Sequence, residues 1–118
     1  MSDTAMFIGW GTAVRDREEQ ATMVFGEASD YWKKLQDAGD IESYAVFMLE
    51  PHGGDLTGFA VLKGDTQHLG SVHASDEFQK LITRASLVVE GFGVVNATSG
   101  NAAAEQIGMS ASMAASMN

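Results

Sequence analysis

Residues 41–64 read IESYAVFMLEPHGGDLTGFAVLKG. Two stretches rich in β-branched and aromatic residues, 41–50 and 56–64, flank the turn-forming PHGGD, in which Gly53 and Gly54 can take positive φ and Pro51 ends strand pairing. So short a link joins antiparallel strands, so the middle of the chain is predicted to be a hairpin. On both sides of it the apolar period changes to that of a helix. Upstream, Ala21, Phe25, Ala28, Trp32 and Leu35 fall on one helical face. Asp16 is the expected N-cap, Glu18 and Glu19 suit the positive end, Lys33 and Lys34 suit the other, and Gly39 is a natural stop. At about 1.5 Å per residue, a helix from Arg17 to Ala38 is roughly 30 Å long and covers a small sheet. Downstream, Ser75 is the expected cap of a helix running to about Val89, with Asp76 and Glu77 in its first turn and Phe78, Leu81, Ile82 and Ala85 at helical spacing. Between hairpin and helix, DTQHLG (65–70) is read as one short helical turn capped at Asp65 and closed by Gly70, which leaves His73 on the loop that follows.

Further out, AMFIGWGTAV (5–14) reads as a first strand and GFGVVNATS (91–99) as a fourth. Alternation puts Met6, Ile8, Trp10, Thr12 and Val14 on one face of the first strand and Phe7, Gly9, Gly11 and Ala13 on the other. It leaves open which face lines a pocket. The order strand, helix, strand, strand, helix, strand, with right-handed crossovers, gives an α+β ferredoxin-like domain: a four-stranded antiparallel sheet with both helices on one face. The other face then carries large apolar groups, which a homodimer packed sheet on sheet would bury. This domain is expected over residues 1–99. Residues 100–118, built from Ala, Ser and Met, are read either as a frayed tail or as a helix whose methionines dock on the body or on a partner subunit.

Composition limits the function classes. The 118 residues suffice for one domain, and the formal charge of −9, from 16 acidic and 7 basic residues, argues against a nucleic-acid partner, because phosphate backbones are bound by clustered Lys and Arg. The absence of cysteine removes disulfides, thiolate metal sites and cysteine nucleophiles. No apolar run is long enough to span a bilayer, and the acidic start MSDTAMFIGWG is unlike a signal peptide, so a cytoplasmic location and no membrane partner are expected.

The element order, HASDEF (73–78) and GFGVV (91–95) resemble the dimeric α/β-barrel superfamily, which includes antibiotic-biosynthesis monooxygenases and heme-degrading monooxygenases. The resemblance spans roughly residues 5–99. It implies a homodimer whose two sheets form a barrel, with a ligand pocket between sheet and helices in each subunit. In the heme-degrading members a tryptophan stands at the place of His73, a heme-ligating histidine at the place of Ile82, and an asparagine on the first strand. This chain has none of the three, so heme degradation is not expected and no cofactor is.

Histidine is the commonest general acid or base, so the three histidines carry the candidate chemistry. His52 belongs to the hairpin turn and His68 to a short exposed helical turn. His73, ahead of the second long helix at one edge of the implied pocket, is the candidate catalytic base or orienting donor; the bland alternative is a bond to backbone at the helix start. Trp10 and Tyr44 are the candidate ligand-holding rings, whereas Trp32 at helical spacing with Phe25 reads as packing. Arg84 is either an anion clamp or a solvated flank. No His-Glu-x-x-His pattern is present, and His68 and His73 would share a metal only if their loop folded back, so no metal is expected. Two functions follow: a small cofactor-independent enzyme, oxygenase-like or isomerase-like, acting on an apolar or aromatic metabolite, or a non-catalytic ligand-binding or assembly module working as a homodimer.

Overall fold

The computed structural model describes residues 2–117. The chain runs β1 (Thr4–Trp10), α1 (Glu18–Asp37), β2 (Ser43–Met48), β3 (Gly58–Lys63), α2 (Thr66–Ala74), α3 (Asp76–Val88), β4 (Gly93–Thr98) and α4 (Gly100–Ser116). The four strands form one antiparallel sheet in the order β2-β3-β1-β4, the ferredoxin-like order. Central β1 pairs Phe7 with Val61 on one side and with Val95 on the other. The hairpin is present with shorter strands than expected, and Leu49 N–H donates to the Thr57 carbonyl at 2.9 Å just beyond their ends.

Strand parity resolves here. Met6, Ile8 and Trp10 point to the helices and are buried, together with Ala60 and Leu62 of β3. They pack on Trp32 and Leu35 of α1, Leu69 and Val72 of α2, and Phe78 of α3 in one continuous core. The opposite face holds a stacked row of rings: Phe59 lies 5.0 Å from Phe47 and 5.2 Å from Phe7. Phe47 and Val95 on that face are about half exposed, at 48% and 57%.

β1 stops at Trp10 rather than at Val14. Residues 11–14 leave the sheet and pair instead with the segment after α3: Gly11 N–H donates to the Glu90 carbonyl (2.7 Å), Glu90 N–H to Thr12 (2.8 Å) and Val14 N–H to Val88 (2.8 Å). A Cβ at Gly11 would lie 2.8 Å from the Glu90 oxygen, so it is the chain's own backbone that uses the space a glycine leaves. The same reversal displaces the expected cap of α1. Asp16 adopts φ +69°, in the left-handed region, and Arg17 holds the N-cap position without a side-chain cap bond. Arg17 is anchored by its N–H to the Val14 carbonyl (2.9 Å) and by its guanidinium to the Leu87 carbonyl (2.8 Å).

α2 is longer than the single turn expected. Asp65 caps it by accepting from His68 N–H at 2.8 Å, and Leu69 and Val72 anchor it in the core, so burial carries the helix past Gly70 to Ala74. Ser75 serves both helices: its N–H closes α2 on the Val72 carbonyl, and its Oγ accepts from Phe78 N–H to open α3. α4 is helical from Gly100 to Ser116 and buries none of its residues.

Candidate functional site

Between α1, α3 and the end of β1 lies an open cavity of about 470 Å³. It exists because small residues face one another across three elements: Ala21 and Ala28 on α1, Ala85 on α3, and Ala13 after β1. Interiors otherwise pack to crystal-like density, so several small side chains at one meeting point leave room for a guest. The walls are the rings of Trp10, Phe25, Trp32 and Phe92, with Leu81 and Met48. Trp10 meets Phe25 edge to face at 5.9 Å, and Phe25 is 40% exposed, which places Phe25 at the mouth and buried Trp10 behind it. Polar residues are few: Thr22, Thr57 and Glu18, the Thr22 hydroxyl donating to the Glu18 carbonyl at 3.1 Å. Glu18 is the single ionisable residue on the wall, and its Oε1 accepts from Asp16 N–H at 3.3 Å. The indole N–H of Trp32 is buried without a hydrogen-bond partner.

The expected site residues do not converge. Trp10 lines the cavity. Tyr44 faces the same side of the sheet but stacks obliquely behind Trp32, ring centres 6.3 Å apart, and does not line it. Arg84 lies on the outer flank of α3, where its guanidinium grips the Glu27 carboxylate of α1 through two contacts, one of them 2.7 Å. The Arg84 hydrogen bond holds the Glu27 carboxyl below its ordinary pKa, and Glu27 in turn raises that of Arg84. Arg84 is therefore engaged as a clasp between the helices.

His73 sits in the last turn of α2, not on a loop, and is not among the residues of the cavity wall. Its half-buried ring meets Phe78 edge to face at 5.7 Å, and its carbonyl accepts from Gln79 Nε2 at 2.6 Å. Phe78 also stacks on Tyr31, whose hydroxyl lies 3.4 Å from Ser75 Oγ; burial raises the Tyr31 pKa. The other histidines hold local structure as well. His52 Nε2 donates to the Leu56 carbonyl at 2.9 Å while its Nδ1 accepts from Gly54 N–H at 3.3 Å, which pins the hairpin turn. His68 Nδ1 lies 2.6 Å from the Asp65 carboxylate. Among the described residues no group of three or more His, Asp or Glu side chains is placed to hold a metal ion, and no helix is long and apolar enough to cross a membrane.

No protein-family model and no curated protein sequence matches the chain. Solved structures do. A DABB family protein with a ferredoxin-like fold from Mesorhizobium loti superimposes with a TM-score of 0.64 at 8% identity, over 83% of this chain and 98% of that one. The chain has a ferredoxin-like fold. SnoaB, a cofactor-independent oxygenase from Streptomyces nogalater, matches with a TM-score of 0.56 at 12% identity, over 85% of this chain and 96% of that one. A dimeric ferredoxin-like protein of unknown function from Thermobifida fusca matches with a TM-score of 0.57 at 15% identity, over 80% and 90%. Proteins named as antibiotic biosynthesis monooxygenases, one from Caulobacter crescentus with a TM-score of 0.59 at 10% identity over 85% of this chain and 92% of that one among them, share the scaffold, as the sequence resemblance implied, while identities this low speak for the fold alone.

Sequence reasoning missed most of the cavity wall, Phe25, Leu81, Met48 and Phe92 in particular. The available signal was the set of alanines on the buried faces of α1 and α3, which marks where the core is thin.

Proposed function

We propose that the cavity binds a flat, largely apolar small molecule and that the working unit is a homodimer joined through the outer sheet face. The observation that carries the first part is the cavity itself: about 470 Å³, walled by aromatic rings with a few polar groups, within the size and chemistry of small-molecule sites. The row Phe47–Phe59–Phe7, open on the other side of the sheet, supports the second. Both tryptophans of the chain line the cavity, so intrinsic fluorescence is a direct reporter. Titration with 1,4-naphthoquinone, a flat quencher, is expected to give saturable quenching that Ala21→Leu, which fills the mouth, abolishes. Linear, collisional quenching equal in both proteins would overturn the reading.

A second reading, in which the cavity also oxidises its ligand with molecular oxygen, is favoured by the fold shared with the Streptomyces oxygenase and by Glu18 on the wall. Without a cofactor such a reaction needs a ligand that delivers its own electrons to oxygen once deprotonated, and a group to take the proton. We assign that role to Glu18, which lines the cavity, rather than to His73, which does not. Oxygen uptake with an electron-rich hydroxyaromatic, lost in Glu18→Gln while quenching persists, is the expected result; uptake unchanged by that substitution would remove Glu18 from the chemistry.

A further inference from the structure

α4 is a 17-residue helix with no buried residue, no side-chain cap bond at Ser99 and a glycine at position 108. Helices of this length are marginal in water unless an apolar face is packed, even when rich in alanine. Such a face exists. Met109, Met113 and Met117 recur every fourth residue and form one stripe, and all three are between 60% and 84% exposed. The helix is about 26 Å long by its rise per residue and projects from the body. The radius of gyration is 16.2 Å, against about 13.5 Å for a compact chain of this length.

Its departure point is fixed. Asp3 accepts Ser99 N–H on its carbonyl at 2.8 Å and Ala102 N–H on its carboxylate at 3.2 Å, so α4 leaves from the end of edge strand β4, at the margin of the sheet. Charge separates these two open surfaces from the rest of the molecule. The chain carries 16 acidic residues, yet α4 contains only Glu105 and the outward positions of the sheet only Lys63. Two copies of a chain with formal charge −9 repel each other over most of their surface and meet without that penalty here.

We propose that α4 is an arm that packs on a second copy of this chain, its methionine stripe lying at the margin of the sheet-to-sheet interface. The inference rests on the homodimer reading above and adds the helix to it. Methionine suits the task because its unbranched thioether side chain fits irregular apolar grooves. The reciprocal arrangement of a twofold dimer supplies two such contacts.

The test is sedimentation of the full chain across a dilution series, compared with the triple substitution Met109→Ser, Met113→Ser, Met117→Ser. The expected result is a wild-type dimer whose dissociation constant rises at least about tenfold in the triple variant, with helical circular dichroism falling as each protein dissociates. In mixed dimers of methyl-labelled and unlabelled chains, the methyl of Met113 is expected to show contacts to protons of the unlabelled copy. A dimer unaffected by the triple substitution, or Met113 contacts within one chain only, overturns the arm and leaves the sheet dimer standing. A wild-type monomer at every concentration overturns both.

Discussion

At Phe78 the core and the expected reactive histidine meet. Phe78 is 1% exposed, stacks on Tyr31 and takes the edge of His73, so its removal opens a cavity among rings. Phe78→Ala is expected to cost about 3–5 kcal/mol in urea unfolding. His73→Ala removes one edge-to-face contact and is expected to cost about 1 kcal/mol, with no change in naphthoquinone quenching; a loss of binding at unchanged stability would return His73 to the site. Gly11→Ala drives a methyl group against the Glu90 carbonyl, and a cost of about 1–3 kcal/mol is expected in the same assay. These three positions also mark what one residue reveals in a sequence. Ser75, Asp76 and Glu77 are legible as a cap because capping is local chemistry. The role of His73 is not, because it depends on how far burial of Leu69 and Val72 extends α2, and that is decided by the sheet beneath.

Elements of this fold were legible in proportion to their periodicity. The face of α1 and the central hairpin repeat a pattern that one element carries by itself. The cavity does not, since it is made by side chains that are small: alanines on two helices and beyond a strand, brought together by topology. The end of β1 was hidden for a related reason, because residues 11–14 find their hydrogen-bond partners at Val88–Glu90, far along the chain. At the start of α2, two bonds from His68 hold the Asp65 carboxyl below its ordinary pKa of 3.8, the backbone bond being the larger cause. A depressed folded pKa stabilises above the unfolded value and is lost as the pH falls through the folded one. Asp65→Asn keeps a capping side chain but cannot titrate. The variant is therefore expected to lose less stability than the parent when the urea midpoint is followed from neutral pH to below pH 3.8; parallel curves would show that Asp65 does not contribute to acid unfolding.

For the whole molecule, two apolar features lie on opposite sides of one sheet, a concave one toward the helices and a flat one away from them. The flat one predicts association. Phe59→Asp on the outer face is expected to convert a dimer at micromolar concentration into a monomer in sedimentation, leaving the core intact because the helix-facing side of β3 is untouched. The concave one predicts binding and is the central claim. In ¹⁵N-labelled protein, addition of 1,4-naphthoquinone should shift the indole resonances of both tryptophans together with the amides of Ala28, Ala85 and Val89, while those of His52, His68 and His73 stay in place. Shifts gathered around His73, or none beyond solvent effects, would contradict it.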